Sequence, residues 1–133
     1  MMKPFHVLFI GAMIVVLSAC RSKPAESPVK TITVKYVNWD RTTLFRITCQ
    51  TFDKYFPQAT VKAINGQAKI DSVVNLLNNM KGADPDNVPD IRGRLFITHA
   101  NKVTDTVCLG MDFLQYKNGT YETPPQLLNL IQE

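Results

Sequence analysis

The stretch NGQAKIDSVVNLLNNMK, residues 65–81, constrains the fold more than any other. Ile70, Val73, Val74, Leu77 and Met80 recur at spacings of three and four, the period of one apolar helix face. Asn65 is placed to cap that helix. Lys81 suits the negative end of its dipole, and Gly82 suits its stop. An amphipathic helix must bury its stripe against a partner surface, and the remainder of the chain offers mainly strands for that purpose.

TITVKYVNW (31–39) alternates and is rich in β-branched residues, which predicts a strand. TLFRIT (43–48) alternates too, with Phe45 and Ile47 on the face that Cys49 continues, and Asp40-Arg41-Thr42 would be the turn between the two. CQTFDKYF (49–56) fits a short helix ended by Pro57, because the residue before a proline avoids the helical region. ATVKAI (59–64) is a further strand, and GADPDNVPD (82–90) a loop. RGRLFITH and KVTDTVCLG flank a turn at Asn101-Lys102, pairing Leu95 with Cys108, Phe96 with Val107 and Ile97 with Thr106. FLQYK and TYET flank Asn118-Gly119, a strong hairpin signal. In TPPQLLNLIQE, Thr123 can cap, Pro124 fits the first helical position, and Leu127, Leu128 and Ile131 form an apolar face. The expected fold is α+β: a small, mainly antiparallel sheet with one long and two short helices packed on it as a two-layer sandwich, over residues 31–133.

The chain opens MMKPFHVLFIGAMIVVLSAC. Lys3 supplies a positive start, Phe5 to Leu17 carry no charge at neutral pH, and small residues Ser18 and Ala19 follow. This is the pattern of an export signal, and it is short for a spanning helix, which needs about 20 apolar residues. Leu17-Ser18-Ala19-Cys20 resembles the lipobox of bacterial lipoprotein precursors. The resemblance covers the first twenty residues. It implies that the Cys20 thiol receives a diacylglyceryl group, that residues 1–19 are removed, and that Cys20 becomes an acylated amino terminus. Each buried methylene contributes about 0.8 kcal/mol, and two chains anchor stably where one does not. Arg21, rather than Asp, follows the cysteine; in lipoproteins of the enterobacterial type this implies passage to the outer membrane, and in a single-membrane host the anchor is the outer leaflet. RSKPAESPVK (21–30) is polar, holds two prolines and reads as a tether.

Of 133 residues, removal of the first 19 leaves 114, enough for one small core. The chain has 15 basic and 11 acidic residues; the signal takes one lysine with it, leaving a mild +3. The bases are scattered, so no nucleic-acid partner is expected. With Cys20 assigned, Cys49 and Cys108 remain, the number needed for one bridge, which can persist outside the cytoplasm. Two buried free thiols are the alternative.

Catalytic signals are sparse. His6 leaves with the signal, so His99 is the one histidine of the mature chain and reads as a hydrogen-bonded strand residue. Asp84, Asp86, Asn87 and Asp90 crowd one loop, but the EF-hand pattern fails, because its sixth and twelfth positions are Pro89 and Leu95. No phosphate loop, G-x-S-x-G or H-E-x-x-H occurs, and no cofactor is expected. Most aromatic residues should be core; Trp39, Tyr116 and Tyr121 lie beside turns and are the expected partly exposed binding residues. These observations lead to the expectation of a membrane-anchored, non-enzymatic binding or assembly module with an envelope protein partner. The alternative is a small inhibitor or immunity-type protein directed at an extracellular hydrolase or toxin.

Overall fold

The computed structural model describes residues 27–133. The lipobox Leu17-Ser18-Ala19-Cys20 and most of the tether lie outside the described residues. The fold is α+β: six antiparallel strands in the order β2-β1-β3-β4-β5-β6, with three helices. The strands are β1 (Val29–Tyr36), β2 (Thr60–Ile64), β3 (Gly93–His99), β4 (Thr104–Leu109), β5 (Phe113–Tyr116) and β6 (Gly119–Glu122). The helices are α1 (Phe52–Tyr55), α2 (Gln67–Asn78) and α3 (Pro125–Gln132). β1 starts inside the stretch expected to be tether, because Val29 already pairs with His99.

The main core lies between one sheet face and the helices α2 and α3. Ile32, Val34, Leu95, Ile97, Val107, Leu109 and Leu114 point into it from the strands. Ile70, Val73 and Leu77 of α2, with Leu127 and Ile131 of α3, close it. The stripe that the sequence displays is thus the one that is buried. Residues of the opposite parity face the other way: Lys35 pairs in register with Arg94, and Arg94 with Cys108. On that second face sits α1, over a smaller core of Val37, Ile47, Phe52, Phe56, Ile91 and Cys108. Cys49 and Cys108 form a disulfide with Cα atoms 5.7 Å apart, closing a separation of 59 residues. The Asp53 carboxylate of α1 meets Lys35 at 2.6 Å and Arg94 at 2.8 Å, tying the helix to β1 and β3.

Several local expectations are corrected. Residues 43–48 form no strand. The Phe45 carbonyl accepts from Thr43 Oγ1 and the Ile47 N–H donates to Asp90, in place of strand pairing; only Ile47 is buried, while Phe45 is half exposed. The β3–β4 register differs by one residue: Leu95 pairs with Val107, Phe96 with Thr106 and Ile97 with Asp105. The turn explains the slip. Lys102 N–H donates to the His99 carbonyl at 2.9 Å and Lys102 takes φ 69°, so three residues make the loop in place of two. In the β5–β6 hairpin the two turn residues are Lys117 and Asn118, at φ 46° and 62°, with Tyr116 opposite Gly119. Asn65 does not cap α2; Gly66, at φ 93°, occupies the cap position. α2 ends at Asn78, and Lys81 instead pairs with Glu122 at 3.3 Å. Thr123 does not cap α3 either: its buried hydroxyl donates to the Gly110 carbonyl at 2.9 Å, and Pro125 is the first residue of that helix.

Candidate functional site

The end of the sheet formed by Tyr36, Gly93 and Leu109 carries three loops: 37–48, 84–92 and 110–112. Between them lies an open groove of about 630 Å³. Among the described residues seven large apolar side chains are exposed, and four of them, Leu44, Phe45, Val88 and Met111, line this groove. A fifth, Tyr55, packs on the Phe45 ring at 4.6 Å between centroids. Isolated exposed apolar residues need no explanation, but a cluster rimmed by polar groups marks an interaction surface. Here the rim holds Arg41, Arg46 and Asp112.

Leu44 is fully exposed, yet the loop that carries it is tied down on both sides. The central tie is Arg92, only 5% exposed. Its Nε donates to the Arg41 carbonyl at 2.7 Å. Nη1 donates to Asp90 Oδ1 and to the Ile91 carbonyl, at 2.8 and 2.9 Å. Nη2 donates to Asp90 Oδ2 at 2.8 Å and to Thr43 Oγ1 at 3.1 Å. The planar guanidinium suits this work, because its donors are fixed as a fork that matches a carboxylate. Asp90 Oδ1 also accepts from Ile47 N–H at 2.8 Å, and Ile91 N–H donates to the Ile47 carbonyl. Two residues further on, the Cys49–Cys108 bridge fixes the chain to β4. Thr48 and Thr51 then exchange side-chain and backbone hydrogen bonds at the entry to α1. The loop therefore has irregular backbone, but it is fixed at Arg41, Thr43 and Ile47, and it holds Leu44 and Phe45 outward on a braced base.

Of the residues expected to bind, Trp39 is at this groove but is buried, at 5% exposure. Its ring stacks on Tyr36 and its edge lies over Gly93, where a Cβ would come within 2.9 Å of Cη2. The missing side chain at position 93 is what admits the indole, and that contact overrides the exposure expected beside a turn. Its Nε1 is buried and has no hydrogen-bond partner. Tyr116 and Tyr121 are half-buried on β5 and β6 and pack against the main core, so the three aromatics do not form one surface. Tyr116 also borders a second depression of about 480 Å³, with Thr104, Thr106, Gln115 and Thr120.

No family model, curated protein or solved structure matches this chain. What the groove can do must follow from its own chemistry. Cys49 is bridged, so its sulfur is not a free nucleophile. His99 is 7% exposed, its Nδ1 2.7 Å from the Ser27 carbonyl and its Nε2 2.8 Å from Asp105 Oδ2, at the opposite end of the sheet. Among the described residues no group of three or more His, Cys, Asp or Glu could hold a metal ion, and no helix is long and apolar enough to cross a membrane. Asp90, which the sequence grouped with the acidic loop, is instead the carboxylate partner of Arg92. The groove itself was not expected from the sequence.

Proposed function

We propose that this chain is a membrane-anchored bacterial envelope lipoprotein that acts as a non-enzymatic binding module, held by lipid on Cys20 and engaging a protein partner through the groove of the 37–48, 84–92 and 110–112 loops. The observation that carries the reading is the gathering of Leu44, Phe45, Val88 and Met111 on one braced surface. A preformed surface loses less entropy on association than a mobile one, and central apolar anchors within a polar rim are the usual source of binding energy. Location supports it as well. The described chain enters beside the β3–β4 turn, where Pro28 accepts from Ala100 N–H. β1 then runs eight residues, about 26 Å, toward the groove. An anchor on Cys20, seven residues before Ser27 and so at most about 25 Å away, would attach the membrane to the end of the sheet opposite the groove.

The test is a photoreactive residue placed at Leu44 or Met111 in intact cells, with Asn75 on α2 as the control. A discrete adduct from the first two and none from the third supports the groove as the binding surface; equal labelling at all three, or none, rejects it. The anchor is tested separately: Cys20→Ser should abolish incorporation of labelled fatty acid, and unchanged labelling would refute it.

The inhibitor or immunity-type reading is favoured by one feature, the fully exposed Leu44 held by fixed neighbours, as suits insertion into a hydrolase cleft. Nanomolar inhibition of a co-occurring extracellular hydrolase, lost in Leu44→Asp, would select it over an assembly role.

A further inference from the structure

The two ring nitrogens of His99 both face acceptors. Nδ1 lies 2.7 Å from the Ser27 carbonyl oxygen, which can only accept. Nε2 lies 2.8 Å from Asp105 Oδ2, and an ionised carboxylate can only accept. A neutral imidazole carries one N–H and satisfies one of these contacts; an imidazolium satisfies both. We infer that His99 is a protonation-controlled clasp that fastens residues 27 and 28, where the described chain begins, to the β3–β4 hairpin.

Opposing effects act on the ring. Burial at 7% exposure disfavours the charged form. Two charge-assisted hydrogen bonds, one to a carboxylate whose side chain is only 26% exposed, favour it. The charged groups on the surrounding elements are Lys30 of β1, Lys102 of the turn, Asp105 of β4, and Lys69 and Asp71 of α2. Of these, Asp105 reaches the ring, while Lys69 pairs with Glu133 and Asp71 accepts from Gln67. Among the described residues the charge in contact with the ring is thus negative, and the clasp is closed when His99 is protonated. As pH rises through the folded-state midpoint one N–H is lost, and either Ser27 or Asp105 loses its donor. Two bonds that do not titrate hold the same segment: Ala100 N–H to the Pro28 carbonyl at 2.8 Å and Asn101 N–H to Ser27 Oγ at 3.1 Å. Opening therefore loosens the root of the chain without unfolding the sheet. The sign is that of a group whose charged form is stabilised by folding: the contribution is complete at low pH and disappears with rising pH.

Imidazole nitrogen NMR of the full chain in detergent micelles tests this, with His6 and His99 told apart by a His6→Gln variant. Both nitrogens of His99 should carry protons at pH 6, and the midpoint should lie above the ordinary histidine value of about 6.5. Asp105→Asn should lower that midpoint. The protection factor of the Ala100 amide should fall through the wild-type midpoint, while that of Ile97 stays level. A single neutral tautomer at pH 6, or a midpoint at or below about 6.5, overturns the clasp; so does Ala100 protection that does not change with pH. The wild-type titration decides by itself if Asp105→Asn does not fold.

Discussion

Replacing Arg92 by Met should separate the bracing of the groove from its apolar surface. Met keeps an unbranched stem that can fill the slot beside the Phe56 ring, whose centroid lies 5.9 Å from the guanidinium carbon. It removes all five hydrogen bonds. Three of these reach neutral oxygens of Arg41, Ile91 and Thr43, each contributing about 1 kcal/mol when its acceptor is left unpaired. The Asp90 pair adds less than its bidentate geometry suggests, because that carboxylate is 46% exposed and can be rehydrated, which confines it to about 0–1 kcal/mol. Apolar burial of Met returns about 1 kcal/mol. The expected loss is therefore about 2–3 kcal/mol, a fall of about 1–2 M in the urea midpoint. Hydrogen exchange should show where the loss falls: the Ile47 amide, bonded to Asp90, should lose protection more than amides of β1. If Arg92→Met costs under about 1 kcal/mol while Ile47 stays protected, the loop is held by something other than this network, and the argument for a preorganised groove fails.

Removing the bridge as Cys49→Ala with Cys108→Ala should cost about 4 kcal/mol, given a sequence separation of 59 between the cysteines, measured by urea unfolding against the oxidised wild type. Phe52→Ala, at a site with no exposure in the smaller core, should cost about 3–5 kcal/mol in the same assay. Leu44→Asp should leave the midpoint within about 0.5 kcal/mol of wild type, yet abolish partner crosslinking from Met111. The Asp53 carboxyl is held below the usual range by the hydrogen bond from Lys35, against a smaller opposing effect of burial and with further help from the charges of Lys35 and Arg94. A depressed carboxyl stabilises above its unfolded value and loses that effect as pH falls through the folded one. The stability difference between wild type and Asp53→Asn should accordingly be present at pH 7 and shrink below about pH 4.

The elements legible in the sequence are those whose apolar period matches a buried face. Ile32 and Val34, Leu95 and Ile97, and Ile70, Val73 and Leu77 repeat at the spacings of strand and helix, and all are core. The pairing of Cys49 with Cys108 was legible by count once Cys20 was set aside. Alternation misled at Phe45 and Ile47, because a two-residue repeat also arises in a loop that buries one residue and displays its neighbour. Registers slipped at both hairpins because turn length depends on which residue accepts positive φ, here Lys102 in one and Lys117 with Asn118 in the other. The groove was invisible because its apolar members, Leu44, Val88 and Met111, are distant in the chain and each lies in an unpatterned loop. Nothing in composition marks a buried arginine; Arg92 is recognisable only when the carbonyls it serves are in place.

The placement of β1 has a mechanical consequence. The strand begins on the side where the proposed anchor would attach and continues directly into the loop that carries Leu44. Were a bound partner to pull against the membrane, tension would travel along the covalent backbone of that one strand, flanked on both sides by β2 and β3, rather than across the hydrogen bonds between strands. The other five strands and the helices would stand beside the line of force as a stiffening sleeve, and load would not need to unzip them.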